Sequence, residues 1–308
     1  MKFYAPAGAQ DVYRALALET VLLDHFPGSE PVLFCWIGAS AVVMGKNQNP
    51  WKECNLDWIK DQELHLARRI SGGGTVYHDK GNLNISWILP RAEYRAENVH
   101  QLLIRTLATL DISAELSKGG SLTVDGSKIS GSAFCYRKDR VLHHGTLLVE
   151  ADLPRLRAAL SPTGISMETH AVPSQPASVV NIKTLQPTLS FGKIQRALLE
   201  TAEKFFGPAT PLSVENFEDL LKKETVRLAS PEWIWGQTPS FKTSTIFPDG
   251  RTLFYKVRKG GITDITCNGK EIVLNKVPSF PQGDFTELEA QLNLEANTFA
   301  EFLRSEGW

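Results

Sequence analysis

The sequence predicts an α+β fold with a mostly antiparallel mixed sheet, followed by a small α+β domain, and three observations support this. First, predicted helices are mixed with pairs of strand-length apolar runs, not with the regular strand–helix alternation of a parallel sheet. Second, strong turn signals such as Asp125-Gly126 separate neighbouring runs and indicate hairpins. Third, the composition changes after residues 233–239, and new strand and helix patterns follow.

The first half of the chain divides into helical and strand-length segments by its apolar periodicity. The expected helices lie at 11–26, 51–62, 97–110 and 152–160, and the expected strands at 31–37, 41–44, 64–70, 75–78, 83–89, 122–124, 128–134 and 141–149. Asp11 and Asp152 are suited to cap their helices, because a carboxylate accepts hydrogen bonds from the free N–H groups of a helix start. Turn residues predict hairpins that pair 31–37 with 41–44, 75–78 with 83–89, and 122–124 with 128–134.

The second half begins with a long segment, 161–189, that is rich in Pro, Ser and Thr and has weak periodicity. A loop of this length in a compact domain is usually functional or mobile. Helical patterns follow at 194–206 and 215–227, strands at 252–257 and 262–267, and a helix at 285–303. We therefore expect a catalytic domain at residues 1–242 and a small accessory domain at residues 243–308.

The composition is that of an ordinary soluble globular protein. The 308 residues are 42% hydrophobic and 22% charged, with a formal net charge of −1, which argues against a general nucleic-acid-binding surface. The 4 cysteines are widely spaced and include no CxxC pair, as suits a reducing compartment. No apolar run approaches the ~18 residues of a membrane span. We expect a cytoplasmic monomer that binds neither nucleic acid nor membrane.

The most informative stretch is residues 68–82, with the sequence RRISGGGTVYHDKGN. Its three consecutive glycines let the backbone approach a ligand closely, and successive N–H groups in such a loop can bind an anion. Arg68 and Arg69 add permanent charge suited to a carboxylate or phosphate. The stretch predicts a loop between two strands that holds a small anionic ligand, and a glycine-rich surface turn is the alternative.

Two familiar nucleotide-binding patterns do not fit this stretch. A Walker A loop requires Gly-Lys-Ser/Thr at its end, whereas Thr75 and Val76 follow the last glycine. A dinucleotide-binding fingerprint requires a helix after the glycines, whereas residues 75–78 favour a strand. Neither pattern therefore supplies a function for the loop.

Four blocks of the sequence together resemble the signature of the lipoate–protein ligase and lipoyltransferase family. They are residues 47–55 (NQNPWKECN), 68–84, 128–133 (KISGSA) and 143–148 (HHGTLL), in the family's order. The resemblance implies a fold shared with biotin ligases, in which a biotin/lipoate-ligase-like catalytic domain precedes a smaller one. It also implies a reaction: ATP, with Mg²⁺, activates lipoate or octanoate to an acyl-adenylate, and a protein lysine receives the acyl group. The implied acceptors are lipoyl domains of 2-oxoacid dehydrogenase E2 subunits and the glycine-cleavage H protein.

The resemblance also assigns roles to residues. It implies that Lys128 is catalytic and contacts both the acyl carbonyl and the α-phosphate; without it, Lys128 would be assigned as a solvated strand lysine beside a turn. The residues expected to bind lipoate or ATP are Arg69, Ser71, Gly72, Gly73, Gly74, Thr75, Val76, Tyr77, His78, Asn82, Gly131, Ser132, Ala133, His144 and Gly145.

Several polar and aromatic residues have two possible roles. His78 is expected either to line the site or to bond structurally, and one of Asn82 and Asn84 to bond in the pocket. No metal site is expected, because adjacent strand residues such as His143 and His144 face opposite sides. The residues expected in the core are Trp36, Trp51, Trp58 and Trp87.

One segment departs from the family's pattern. Many ATP-using ligases of the family carry an Arg-Asn-Asp-Leu-like element where this chain has Gly119-Gly120-Ser121-Leu122, so an amide and a carboxylate are missing. A lipoyl-AMP-dependent lipoyltransferase without the adenylation step is therefore one alternative. A second is a cysteine-dependent octanoyl or amido transferase, which needs a thiolate and for which Cys135 is the candidate. A degenerate lipoate- or nucleotide-binding module is the third.

Overall fold

The computed structural model describes residues 1–281 and 283–305. Up to residue 160 its elements are β1 (Lys2–Tyr4), β2 (Ala9–Gln10), α1 (Val12–His25), β3 (Val32–Gly38), β4 (Ala41–Met44), α2 (Pro50–Glu53), α3 (Leu56–Asp61), β5 (His65–Arg68), β6 (Val76–His78), β7 (Asn82–Pro90), α4 (Ala96–Ala108), β8 (Glu115–Leu116), β9 (Leu122–Val124), β10 (Ser127–Tyr136), β11 (Arg140–Leu148) and α5 (Leu153–Ala159). Asp11 and Asp152 cap α1 and α5, as predicted.

The remaining elements begin in the long segment after α5. They are β12 (Glu168–Thr169), α6 (Ile182–Leu185), α7 (Phe191–Phe206), β13 (Thr210–Pro211), α8 (Glu218–Ala229), α9 (Pro231–Ile234), β14 (Phe241–Ile246), β15 (Thr252–Arg258), β16 (Gly261–Cys267), β17 (Lys270–Ile272), α10 (Thr286–Gln291) and α11 (Thr298–Ser305). A 3₁₀ turn at Glu215–Phe217 leads into α8.

The largest sheet in the described part of the chain has nine strands. Its order is β13-β1-β3-β7-β11-β10-β9-β8, with β2 also beside β3. The pairs from β3 to β8 are antiparallel, whereas β13, β1 and β3 run parallel, so the predicted mixed, mostly antiparallel sheet is confirmed. The predicted β9–β10 hairpin is also confirmed, with positive φ at both turn residues, Asp125 (48°) and Gly126 (75°).

The two faces of this sheet carry different side chains, although both are buried. On β7, Leu83, Ile85 and Trp87 belong to an apolar core that includes residues of α4 and α7. The alternate residues Asn84 and Ser86 point to the opposite face, which α1 covers. Apolar residues of α1, α8 and the strands form a second core on that face.

A separate three-stranded sheet, in the order β5-β4-β6, holds the glycine stretch. Its central strand β4 runs parallel to β5 and antiparallel to β6. As predicted, β5 leads into the glycines and a strand leads out of them. Both ends of the loop are therefore fixed to one strand, β4.

Two predicted hairpins are wrong, because in each case the turn carries the chain from one sheet to another. The segment at 31–37 becomes β3, which pairs with β1 and β7, whereas 41–44 becomes β4 in the three-stranded sheet. Likewise β6 and β7 follow one another but pair in different sheets. At that second crossing, Asp79 accepts hydrogen bonds from Gly81 N at 2.7 Å and Asp152 N at 2.8 Å, which fixes the path of the chain.

The C-terminal part forms a five-stranded sheet, in the order β12-β14-β15-β16-β17, beside an apolar core that also includes Trp51 of α2. The predicted strands at 252–257 and 262–267 are confirmed as β15 and β16, whereas β14 and β17 are additional. Strand β12 comes from the long segment 161–189, which therefore takes part in the second sheet. The expected boundary between residues 242 and 243 falls inside β14, and the division into two domains stays a prediction.

Two predicted helices are each interrupted. The segment at 51–62 contains α2 and α3, and the side chain of Asn55 between them caps α3 by accepting from Trp58 N. The segment at 285–303 contains α10 and α11, separated by Asn293 and Asn297 with φ of 50° and 68°. A right-handed helix cannot continue through such residues. Within residues 1–281 and 283–305, every helix is too short or too polar to cross a membrane.

Candidate active site

A cavity of about 590 Å³ lies on the face of the nine-stranded sheet to which Asn84 and Ser86 point, which we call the polar face. Four parts of the chain line it: the sheet itself, α1, the three-stranded sheet with its glycine stretch, and the loop segments 117–121 and 173–178. The lining residues that matter most below are Glu19, Trp36, Arg69, Gly73, Gly74, His78, Asn84, Lys128, Gly131, His144, Thr146 and Ser174.

Four lining residues stand in register on adjacent strands and form a row across the sheet. Trp36 pairs with Asn84, Asn84 with Thr146, and Thr146 with Gly131. The row crosses β3, β7, β11 and β10, and three strand spacings make it about 14 Å long. Its β3 end is Trp36, and its β10 end is next to Lys128.

Lys128 lies at the start of β10, as predicted, and its backbone is held by the long segment. Its N–H donates to Ser178 O over 2.8 Å, and its carbonyl accepts from Val180 N over 3.0 Å. A Cβ on Gly131 would lie 2.8 Å from Lys128 Nζ, so glycine at that position makes room for the ammonium group. Burial, followed by the positive charge of Arg69, lowers the pKa of Lys128. Among the described residues no carboxylate pairs with this ammonium, which remains available to an anionic ligand.

Arg69 fixes the shape of residues 72–74, which we call the glycine bend. Its Nη2 donates to the carbonyl oxygens of Gly72 at 2.6 Å and Gly74 at 2.8 Å. Between them, Gly73 has a φ of 83°, and a Cβ there would lie 2.9 Å from Arg69 Nη2. A Cβ on Gly45 would lie 2.1 Å from Gly73 O, so the close approach of β4 to the bend requires glycine. The guanidinium donors are thus largely used within the protein, and burial lowers the pKa of Arg69 to about 10.

The neighbouring Arg68 faces away from the cavity and ties other parts of the chain together. Its side chain is fully buried. It donates to Gln48 O and Ile234 O, both at 2.8 Å, and to Thr238 Oγ1 at 2.9 Å. Arg68 therefore joins β5 to the connection that precedes β14, a structural role in place of the expected ligand contact.

A buried chain of polar side chains links α1 to the glycine bend. Glu19 accepts from Ser86 Oγ at 2.5 Å and lies 2.8 Å from His144 Nδ1. His144 Nε2 is 2.6 Å from Ser71 Oγ, which accepts from Arg69 Nε at 3.0 Å. Because the Glu19 carboxylate can only accept, His144 Nδ1 donates to it, and the Ser71 hydroxyl is placed to donate to His144 Nε2. Glu19 therefore fixes the orientation and tautomer of His144.

Sequence reasoning missed Glu19. The available signal was a single carboxylate within the otherwise apolar run of α1, residues 15–23, all of which are buried. An ionised group is rarely buried without polar partners, so this position indicated a polar network before its members were known.

Residues 173–178 of the long segment line the cavity and are anchored at Ser174. The Ser174 hydroxyl donates to Glu53 and accepts from Gln48 Nε2 at 3.0 Å and from Thr75 N at 2.9 Å. A Cβ on Gly74 would lie 3.0 Å from Ser174 Oγ, so the anchor also packs against the glycine bend. This position supports the expectation that the long segment is functional.

Most residues predicted to bind the ligand line the cavity. They are Arg69, Gly73, Gly74, Thr75, Val76, His78, Gly131, Ser132, Ala133, His144 and Gly145. Trp36, expected in the core, and Asn84 line it as well.

The other predicted residues, Ser71, Gly72, Tyr77 and Asn82, are absent from the described lining. Ser71 and Gly72 hydrogen-bond to Arg69. Tyr77 faces the opposite side of its strand and is buried in a separate core. Asn82 is buried beside Asn84 and donates to its Oδ1 at 3.2 Å. Any ligand contact by these four residues stays a prediction.

The histidines His143 and His144 face opposite sides of the sheet, as predicted. His144 bonds Glu19 on the cavity side, whereas His143 Nδ1 is 3.0 Å from Tyr94 Oη on the other side. Burial, followed by the charges of His100 and His144, lowers the pKa of His143 to about 3. The two adjacent imidazoles cannot share an ion.

The cavity offers few of the oxygen ligands that Mg²⁺ prefers. Among its described lining residues Glu19 is the only carboxylate, and Ser86 and His144 already engage it. In residues 1–281 and 283–305, no three His, Cys, Asp or Glu side chains are grouped to hold a metal ion. Gly119 and Ser121, from the segment that departs from the family's pattern, contribute only neutral groups to the wall. The residues present therefore do not build a protein site for Mg²⁺.

Comparisons with known proteins show the family of this chain. Residues 11–203 match the family described as lipoyl protein ligase A/B catalytic domain. A lipoate-protein ligase A of Bdellovibrio bacteriovorus is 36% identical over 262 residues, which are 81% of this chain and 77% of that protein.

Solved structures of similar fold include lipoate ligases. The structure of P. falciparum LipL1 in complex with lipoate has a TM-score of 0.68 at 26% identity, covering 98% of this chain and 97% of that one. A lipoate-protein ligase A bound with ATP has a TM-score of 0.64 at 23% identity, covering 76% of this chain and 98% of that one. These matches confirm the predicted fold. The chain belongs to the lipoyl protein ligase A/B catalytic domain family.

Proposed function

We propose that this chain is a lipoate–protein ligase that activates lipoate or octanoate with ATP and transfers the acyl group to a lysine of an acceptor protein. The observation that carries the proposal is that Lys128 and the glycine bend line one cavity, with Arg69 near enough to lower the pKa of Lys128. The register row from Trp36 to Gly131, about 14 Å long, gives room for an eight-carbon chain whose carboxylate lies near Lys128.

The first step joins the acid to AMP. A carboxylate oxygen attacks the α-phosphorus of ATP, a P–O bond forms, and the bond to pyrophosphate breaks. Negative charge develops on oxygens near Lys128, whose ammonium is a fixed cation in a partly buried site. An ammonium about 4 Å from such an oxygen contributes at most about 4 kcal/mol at an effective dielectric of about 20. Only the part of this interaction that is stronger in the transition state accelerates the step.

The second step transfers the acyl group. The amine of an acceptor lysine attacks the acyl carbonyl, the C–O bond to AMP breaks, and the amine releases a proton to water. Charge now develops on the carbonyl oxygen. Because the acyl-adenylate keeps its carbonyl and its α-phosphate next to each other, the same Lys128 ammonium can stabilise both transition states.

Mg²⁺ enters this proposal with the nucleotide, as MgATP held by the phosphates themselves. The neutral wall at Gly119 and Ser121 lacks the carboxylate that could assist the metal, and it also lacks the arginine of the Arg-Asn-Asp-Leu-like element. Lys128 and Arg69 still face the cavity. We therefore include adenylation in the proposal and make it the first measurement.

The cysteine-dependent alternative finds little support in this cavity. Cys135 packs against the second core and is absent from the described lining. Its sulfur accepts a hydrogen bond from Arg137 Nη1 at 3.1 Å. A thiolate nucleophile must reach the acyl carbon, and Cys135 is not among the described residues that line this cavity.

The acceptors that we propose are lipoyl domains of 2-oxoacid dehydrogenase E2 subunits and the glycine-cleavage H protein. We further propose that the enzyme acts in the cytoplasm as a monomer. The accessory domain that we propose lies at residues 243–308, and the described elements from β14 to α11 share an apolar core that also includes Trp51 of α2.

The decisive experiment gives purified protein lipoate, ATP labelled at its α-phosphate, and Mg²⁺, and follows lipoyl-AMP and modified lipoyl domain. Both products are expected. Lys128→Ala is expected to slow each half-reaction on the order of 10²- to 10³-fold. Lys138→Ala is the matched control, because Lys138 is exposed in the turn after the same strand.

The outcomes separate the alternatives. Transfer from supplied lipoyl-AMP without its formation from ATP would identify a lipoyl-AMP-dependent transferase. Lipoate binding without either half-reaction would identify a binding module. Unchanged rates in Lys128→Ala would contradict the mechanism, whichever substrate is used.

A further inference from the structure

One of the four sequence blocks, residues 47–55, contributes no residue to the described lining of the cavity. Its contacts go instead to the long segment 161–189. Asn47 O accepts from Val172 N at 3.0 Å, and Lys52 Nζ donates to Ile165 O at 3.2 Å. Any effect of this block on the reaction must therefore pass through its neighbours.

Within the block, Gln48 has a completely buried side chain whose amide is bonded at both ends. Its Oε1 accepts from Gly45 N at 2.9 Å and from Thr75 Oγ1 at 2.8 Å. Its Nε2 donates to Ser174 Oγ at 3.0 Å and to Val172 O at 3.4 Å. A side-chain amide has two N–H donors and one oxygen with two lone pairs, so Gln48 uses its full bonding capacity.

The partners of Gln48 belong to three separate parts of the cavity wall. Gly45 follows β4 and packs against the glycine bend, Thr75 is the residue after the bend, and Ser174 anchors segment 173–178. In the part of the chain that the structure describes, no strand ladder joins this segment to the three-stranded sheet. Side chains therefore set the spacing between the bend and the segment, and the amide of Gln48 bonds all three parts.

We propose that Gln48 is a positioning residue for adenylation, which holds the glycine bend and segment 173–178 at the spacing that the reaction needs. This inference rests on the proposed function and gives a role to a residue outside the cavity lining. The role requires a neutral amide, because a carboxylate accepts hydrogen bonds but cannot donate them. A displacement of about 1 Å at a reacting centre can cost on the order of 10²-fold in rate, so fixed spacing matters.

The test is Gln48→Glu, which keeps the shape of the side chain and replaces its NH₂ group by a second oxygen. At pH 8 the carboxylate cannot donate to Ser174, and kcat for lipoyl-AMP formation is expected to be about tenfold lower than in the unaltered chain. A protonated carboxyl has one O–H donor and a carbonyl acceptor, as the amide has. At pH 6 the rate, relative to the unaltered chain at the same pH, is therefore expected to recover to within about threefold.

The surroundings of the introduced carboxyl determine where it titrates. Burial raises its pKa, and so does the Glu53 carboxylate, which accepts from the same Ser174 hydroxyl. Arg68 opposes this shift, because its Nη1 donates to the backbone carbonyl of residue 48 at 2.8 Å. Complete burial is the larger influence, so the carboxyl is expected to gain its proton above the usual range of a glutamate.

Two further variants separate positioning from a general loss of packing. Gln48→Leu has no polar atom at its end, so its rate should be low at pH 8 and at pH 6 alike. Gln10→Glu is the matched control, because the Gln10 amide donates to Ala7 O and Gly8 O and is absent from the described lining of the cavity. Its rate, relative to the unaltered chain, should be the same at both pH values.

Hydrogen exchange supplies a measurement that needs no substrate. Amides of residues 172–178 in Gln48→Glu should exchange faster than those of the unaltered chain at pH 8, and the difference should shrink at pH 6. This result, together with recovery of the rate in acid, would support the positioning role.

Three results would overturn the inference: a normal rate of Gln48→Glu at pH 8, an equal loss at pH 8 and pH 6 in folded protein, or unchanged hydrogen exchange. When the unaltered chain forms lipoyl-AMP normally, each of them overturns this inference alone. A chain that forms no lipoyl-AMP overturns the adenylation step of the proposed function, and this inference with it.

Discussion

The two faces of strand β7 are both buried, yet between residues 83 and 87 they carry opposite chemistry. Leu83, Ile85 and Trp87 pack in the apolar core with α4 and α7, whereas Asn84 and Ser86 face α1 and the cavity. On a half-buried strand the polar face meets water. Here it meets other polar side chains and the space for a ligand. A sheet face that is buried and apolar therefore marks the scaffold, and one that is buried and polar marks the site.

The largest effect on stability is expected from the apolar face. Trp87→Ala removes a buried side chain that packs against Phe206, with ring centroids 5.6 Å apart. We expect the free energy of unfolding to fall by about 3–5 kcal/mol, because a cavity remains where the indole was. The rate of lipoyl-AMP formation per folded molecule should stay the same. Denaturant titration measures the free energy of unfolding, and the rate is divided by the folded fraction. A slower rate with an unchanged free energy of unfolding would contradict the assignment of the apolar face to stability.

A substitution on the polar face is expected to reduce stability less than Trp87→Ala does, but to reduce the catalytic rate more. Glu19→Ala leaves His144 and Ser86 without their buried partner, which should lower the free energy of unfolding by about 1–3 kcal/mol. Unlike Trp87→Ala, it should also lower kcat at least tenfold with a lesser change in KM, because His144 loses its orientation beside the glycine bend.

The control for Glu19→Ala is an exposed carboxylate. Asp24 pairs with Arg137 at 2.7 Å on the surface, and such pairs contribute about 0–1 kcal/mol. Asp24→Ala should therefore leave stability and kcat nearly unchanged. If Glu19→Ala behaved like Asp24→Ala, the buried network would have no positioning role.

Per pH unit, the smallest effect is expected from acid, and it tests both faces at once. His78 on the cavity side and His143 on the apolar side have pKa values lowered to about 3, mainly by burial, from an ordinary value of 6.5. Below pH 6.5 the unfolded chain therefore binds more protons than the folded one. Stability is full above about pH 6.5 and falls as the pH drops towards 3, by up to about 1.4 kcal/mol per pH unit for each histidine.

Single substitutions separate the two contributions to acid sensitivity. His78→Gln and His143→Gln should each make the fall of unfolding free energy with pH less steep, as measured by denaturant titration between pH 7 and pH 4. A slope that neither substitution changes would show that other groups control acid unfolding.

Sequence reasoning predicted the residues that line the cavity better than it predicted the strand pairs. The glycine bend and Lys128 depend on short local patterns: three glycines between two strands, and a lysine just after an Asp-Gly turn. The pairing of β3 with β7, or of β4 with β5, joins segments that are far apart in the chain. Apolar periodicity predicts which side chains share a face but not which strand lies alongside.

The remaining errors have the same origin. Arg68 and Arg69 look equivalent in the sequence, but neighbouring side chains of an extended segment point in opposite directions, so one shapes the bend and the other holds the connection to β14. Glu19 and Ser174 acquire their roles only from partners on distant elements. Local patterns do not contain that information.

The register row has a consequence for how acyl length preference can change. Because the row runs across strands, its span grows only in whole steps of about 4.8 Å, each requiring another strand between β3 and β10. Such an insertion would rebuild the whole molecule. With the acyl chain along the row, as we propose, adaptation to shorter or bulkier acids is therefore confined to single side-chain exchanges at its two ends, Trp36 and Gly131.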